Sequence, residues 1–157
     1  MNRFLALLAI ASLFVSGCVS QGVQTSGDEK MDIEGKKILM IVAPEDFRDE
    51  EYFHTREVLE GRGALITTAS KQRGSVKGML GGTVNAEIGL SEVNAGEYDA
   101  VVFVGGTGAA RYFNDSEALS IAREAFQQNK ILAAICIAPS ILANAGLLEG
   151  KRATSFA

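Results

Sequence analysis

Residues 131–146 read ILAAICIAPSILANAG. The apolar run over residues 131–135 predicts a strand buried on both faces. Pro139 predicts the opening of a helix to Ala145, because proline suits a first helical turn, and Gly146 stops it. Little chain is left between the two, so the backbone must turn sharply at Cys136. A buried strand that runs straight into a helix is half of a parallel α/β unit, and this one carries a thiol at its corner.

Working outward, the same alternation repeats. Residues 37–43 (KILMIVA) predict a buried strand, residues 44–48 a loop, and residues 49–62 a helix ended by Gly63. Residues 64–69 predict a second strand. Residues 74–89 are dense in glycine with short apolar runs, which predicts a hairpin excursion. Residues 100–104 (AVVFV) predict a third buried strand, followed by Gly105-Gly106-Thr107-Gly108. Ser116 is the expected cap of a helix over residues 117–128, with Leu119, Ala122 and Phe126 as its stripe. Strands of this kind imply a parallel sheet covered on both faces, with ligands at the carboxyl ends of its strands. The 44–51 loop, the loop after residue 70, the glycine loop and Cys136 all fall there.

The chain has 157 residues, 22% charged and 47% hydrophobic, which suits one globular domain. Its formal net charge is −4 and its basic residues are scattered, which argues against a nucleic-acid surface. One His and two Cys are too few for a zinc site of those residue types. No EF-hand spacing occurs, and no metal and no cofactor is expected. Counted from Gly106, the glycine loop puts Arg111 where a dinucleotide fingerprint needs glycine, and no Walker A pattern exists.

Residues 1–18 (MNRFLALLAIASLFVSGC) have the layout of a secretory signal: a positive start at Arg3, an apolar stretch, then small residues. The apolar stretch is short for a membrane span. Residues 15–18 (VSGC) resemble the lipobox of bacterial lipoproteins. That resemblance implies a signal peptide over residues 1–17, lipidation of Cys18, and a membrane-anchored protein in the periplasm or on the cell surface. An ordinary cleaved signal with an incidental cysteine is the other reading. Residues 18–35 read as a flexible tether, and the domain proper spans residues 36–157.

With Cys18 lipidated, Cys136 is the remaining thiol and cannot form an internal disulfide. As a small hydrophobe it would simply be buried. At a strand-to-helix corner it instead resembles the nucleophile elbow of hydrolases, and the following helix N-terminus favours thiolate. Gly105 and Gly106 suit close backbone approach, presenting amides to an oxyanion, or form a plain strand-to-helix turn. Glu45, Asp46, Asp49, Glu50 and Glu51 read as a solvated helix start, or supply one inward acid–base partner. Periodicity does not say which. His54 lies within the helix and reads as a surface or packing residue.

These residues carry a family resemblance. AICIAPSILANAGLLEGKRAT, VVFVGGTGA and FRDEE resemble, in order and spacing, motifs of the ThiJ/PfpI superfamily, within the class I glutamine amidotransferase-like group. The resemblance implies a flavodoxin-like three-layer α/β sandwich with a mostly parallel sheet, commonly homodimeric. It implies Cys136 as the nucleophile, Glu51 as the carboxyl beside the sulfur, and the amides of Gly105, Gly106 and Ile137 as oxyanion donors. Ile137 stands where peptidase-like members carry His, which argues against peptidase activity. Arg48 stands at a position often acidic, where it would pair with Glu51 or stabilise the thiolate. Relatives usually continue beyond the position of Ala157, so the domain is expected to be incomplete at its C-terminus.

The expected function is a cysteine-dependent enzyme on small carbonyl or acyl substrates, glyoxalase-, deglycase- or hydrolase-like. The rival is a redox sensor or stress-protective binding protein that uses Cys136 oxidation. A decayed domain is the third possibility.

Overall fold

The computed structural model describes residues 33–156. The signal peptide expected over residues 1–17, Cys18, and nearly all of the tether therefore lie outside the described residues. The first half of the domain runs β1 (Lys37–Ile41), β2 (Glu45–Phe47), α1 (Asp49–Glu60), β3 (Leu65–Ser70), β4 (Gly74–Gly78), β5 (Thr83–Ala86) and β6 (Ile88–Gly89). The second half runs β7 (Ala100–Phe103), α2 (Ser116–Gln127), β8 (Ile131–Ala134) and α3 (Pro139–Asn144). A short 3-10 helix, Thr107–Tyr112, follows the glycine loop.

The central sheet has five strands in the order β6-β3-β1-β7-β8, every pairing parallel. Taken without β6, this is the order of a doubly wound, flavodoxin-like sheet. β1 and its extension show why its sequence is an unbroken apolar run. Ile38, Met40 and Val42 point into one core, with Phe47, Tyr52 and Val76. Leu39, Ile41 and Ala43 point into the other, with Phe103, Ile121 and Ile141. A strand of period two with apolar matter on both sides has no polar position. Chain order reverses between β1 and β7, so the crevice of such a sheet opens at their carboxyl ends.

Several expectations about local structure are corrected. Residues 45–47, expected as loop, form β2, which pairs parallel with β4. β4 in turn pairs antiparallel with β5, and the three make a small second sheet. Within β2, Asp46 sits at φ 57°, where the register with β4 shifts, a conformation that propensity does not foretell. The cap of α2 is Asp115, not Ser116: its carboxylate accepts the Glu117 and Ala118 N–H groups at 3.0 and 3.1 Å. The buried stripe of α2 is Ala118, Ile121, Ala122 and Ala125, while Phe126 is exposed. Small alanines let α2 lie close to the sheet, so the bulkier residues do not mark the inner face. β8 is an edge strand of the described sheet with Ile131 exposed, and is not buried on both faces.

Candidate active site

Three elements end at the crevice, and each delivers one part of the site. β8 delivers Cys136, a non-glycine residue at φ 61°. The Ala138 N–H donates back to Ile135 O at 3.0 Å and closes the turn around it. Left-handed backbone at a residue with a side chain costs about 1–2 kcal/mol and tilts that side chain off the strand line. The thiol is unpaired and half-buried, and the following helix, α3, is six residues long.

β7 delivers Gly105 and Gly106. The Gly105 carbonyl accepts the Arg48 N–H at 3.0 Å, which ties the glycine loop to the end of β2. Gly106 sits at φ 94°, and a Cβ on it would overlap the backbone of Asp46 and Arg48. Glycine is required there by both backbone angle and space.

α1 delivers the acid. The run of carboxylates that sequence could not separate divides into distinct jobs. Glu45 pairs with Arg111 at 3.1 Å on the surface. Asp49 turns into the protein, against the Leu80 and Gly82 amides. Glu50 takes Arg48, with Nε to Oε2 at 2.9 Å as an ion pair and Nη2 donating to Oε1 at 3.3 Å. Arg48 therefore pairs with Glu50, neither with Glu51 nor with the thiol. Glu51 points to the crevice, where its Oε2 accepts the Gly105 N–H at 2.9 Å. His54 is exposed on α1 and lines no part of the site.

A cavity of about 620 Å³ opens here, lined by Cys136, Glu51, Arg48, Gly106, Thr107 and Ile137. Met79, Ile135 and Phe156 complete its apolar walls. Because Glu51 already occupies the Gly105 N–H, that amide is not open to an oxyanion. The Gly106 and Ile137 N–H groups make no hydrogen bond among the described residues and remain open to one. The Cys136 carbonyl accepts the Phe156 N–H at 2.8 Å and the Ser155 hydroxyl at 3.1 Å, which brings residues 155–156 to the cavity rim.

Beneath the site, Tyr112 is buried and donates its hydroxyl to Val42 O at 2.9 Å. Burial pushes its pKa up to about 12, partly offset by the Ser70 hydroxyl. The neutral phenol fixes the carbonyl at the end of β1, where the chain leaves the sheet for the site.

Met79, Thr107 and Phe156 were not foreseen as site residues. Each comes from a loop or an irregular segment, where no period reports which side chain turns inward. The one available signal was the pair Gly78 and Gly82 bracketing a turn, which marks close packing.

The site thus joins a cysteine at a left-handed strand-to-helix corner of a parallel α/β domain to a carboxylate on the same cavity. The DJ-1/PfpI family profile matches residues 36–157, and the chain belongs to this family. An uncharacterized protein of Methanocaldococcus jannaschii is 36% identical over 157 residues, which cover 99% of this chain and 75% of that one. A protein of Pyrococcus abyssi named a deglycase is 36% identical over 118 residues, 75% of this chain and 71% of that one. Among solved structures, a ThiJ/PfpI domain protein from Brachyspira murdochii superposes with a TM-score of 0.71 at 36% identity. That match covers 73% of this chain and 66% of the Brachyspira chain, just under two thirds of its length.

Proposed function

We propose that the protein is a cysteine-dependent enzyme of the glyoxalase or deglycase kind, acting on small carbonyl compounds. The observation that carries this reading is Cys136 at φ 61° in a cavity that Glu51 also lines, with Glu51 fixed on Gly105. Relatives named deglycases, in Pyrococcus and in Escherichia coli, support it.

In this reading the Cys136 sulfur adds to the carbonyl carbon. A C–S bond forms, the carbonyl π pair moves to oxygen, and the Gly106 and Ile137 amides hold the oxyanion. Glu51 takes and returns the proton. With a 2-oxoaldehyde, moving hydrogen from one carbon to its neighbour and adding one water gives a 2-hydroxy acid. No external oxidant or reductant is needed. The dipole of a six-residue α3 adds little to thiolate stability, so oriented amides and the corner geometry carry the activation. Ile137 offers no base, which disfavours peptide hydrolysis.

The test is consumption of 2-oxoaldehydes and of their amine adducts by the full-length protein. Cys136→Ala should abolish it, and retained turnover in that variant would sink the reading. At neutral pH, alkylation of Cys136 should run faster than that of free cysteine. If mild peroxide instead yields a stable sulfenate with no turnover of any carbonyl compound, the redox-sensor reading replaces the enzyme. We also propose export and lipid anchoring through Cys18, on the strength of the VSGC sequence alone. Mass spectrometry of membrane fractions should find lipid on Cys18, and an unlipidated Cys18 would discard the anchor.

A further inference from the structure

Asp49 is a buried carboxylate that the chemistry above does not use. It is 7% exposed, and its oxygens accept the Leu80 and Gly82 N–H groups at 2.8 and 2.7 Å. Gly78 and Gly82 approach so closely that a Cβ on either would overlap the carboxylate. The Met79 N–H in turn donates to Phe47 O at 2.9 Å. The tip of the β4–β5 hairpin is thus tied to the end of β2 and the start of α1, and it carries Met79 onto the wall of the Cys136 cavity. A methionine on a free loop would be adaptable throughout. Here the backbone is pinned and only the thioether side chain can adjust.

The charged groups of the same cavity already have partners. Arg48 is held by Glu50, and Glu51 by the Gly105 amide. Neither is left as a dedicated counter-charge for an ionised substrate. What the cavity offers a substituent is the Thr107 hydroxyl and the apolar surface of Met79, Ile135, Ile137 and Phe156. Met79 is 39% exposed and Ile135 45% exposed, so apolar carbon stands in water beside the thiol. Covering such carbon with apolar substrate is favourable, and covering it with an ionised group strands that group without hydration.

We propose that the site selects uncharged carbonyl compounds that carry an apolar substituent, seated against Met79 and Ile135. Small or ionised substituents are disfavoured. This rests on the carbonyl reading of Cys136 given above. The sulfur addition is the same for every substrate of the class, so the substituent acts through binding.

The experiment compares kcat/KM of the full-length protein for three 2-oxoaldehydes: phenylglyoxal, methylglyoxal and the ionised 4-carboxyphenylglyoxal. Each value is divided by the compound's rate of addition to free cysteine. Phenylglyoxal should exceed methylglyoxal by about ten-fold, from covering the extra ring carbons, and 4-carboxyphenylglyoxal should fall well below phenylglyoxal. Met79→Gln should reduce the phenyl preference several-fold, and Met79→Leu should keep it. A wild-type ratio near one, a preference for 4-carboxyphenylglyoxal, or a Met79→Gln ratio equal to wild type in a variant with a native melt overturns the proposal. Turnover of none of the three aldehydes removes the carbonyl reading, and this inference falls with it. Equal turnover of all three removes only the selectivity.

Discussion

Glu51 and Cys136 meet over the bare α-carbon of Gly105. A Cβ placed there would lie 2.5 Å from Cys136 Cβ and 2.6 Å from Glu51 Oε2, and Glu51 also accepts the Gly105 N–H at 2.9 Å. The same Cβ would press on Ile135 O at 2.8 Å. The acid and the thiol are thus brought together by an absent side chain.

Gly105→Ala should therefore damage stability and reactivity at once. Overpacking of this kind costs about 1–3 kcal/mol. A urea melt should show a lowered midpoint, and alkylation of Cys136 should slow as the thiol is pushed off its position. A variant with wild-type alkylation kinetics would mean that the gap is not needed for the chemistry.

Glu51→Gln keeps a carbonyl oxygen for the Gly105 amide but removes the proton acceptor. Stability should change little, while kcat/KM should fall by about a hundred-fold or more, in the range of lost general-base catalysis. Steady-state kinetics on a 2-oxoaldehyde checks this. If the variant keeps full activity, the base lies elsewhere.

Asp49→Ala should cost about 2–4 kcal/mol, because two charge-assisted hydrogen bonds vanish and the Leu80 and Gly82 amides lose their acceptor. Asp49→Asn should be nearly as harmful, since its NH₂ would face one of those amides donor to donor. Chemical denaturation reads both. A change below about 0.5 kcal/mol, the range of ordinary surface substitutions, would show that the hairpin tip needs no tie.

Glu92 is held down to about 2, first by the Arg73 side chain and then by the Gly89 N–H, against an ordinary value of 4.5. Its carboxylate accepts from Arg73 Nε at 2.9 and 2.8 Å. A depressed folded pKa means that the contribution is present above the ordinary value and is lost as pH falls through the folded one. Stability should thus decline as pH drops from about 4.5 toward about 2, and Arg73→Gln should flatten this limb. The pair is on the surface, so added salt should weaken the effect. Urea midpoints across this range measure it, and an unchanged limb in Arg73→Gln would assign the acid loss to other carboxylates.

The parallel sheet was legible because its central strands, β1 and β7, are buried on both faces. Lys37–Ile41 has apolar neighbours on both faces, and residues buried in this way leave an unbroken run in the sequence. The corner at Cys136 was legible because strand, thiol and Pro139 leave too little chain for anything but a sharp turn. The acids of residues 45–51 were not separable, since what distinguishes them is an unusual angle at Asp46 and partners far along the chain: Arg111 for Glu45, Leu80 for Asp49 and Gly105 for Glu51. Met79 was invisible for the same reason. Its place on the cavity wall is set by Asp49 and Phe47 and not by its own neighbours.

Cys136 occupies a backbone conformation that glycine would adopt at lower cost. Replacing it with glycine should relieve the corner and offset part of what the lost side-chain contacts remove, whereas alanine keeps the strain and loses the sulfur. Drift toward greater robustness would thus tend to erase the reagent. On the proposed reading of Cys136, this corner trades resilience for reactivity, because its backbone angle favours glycine.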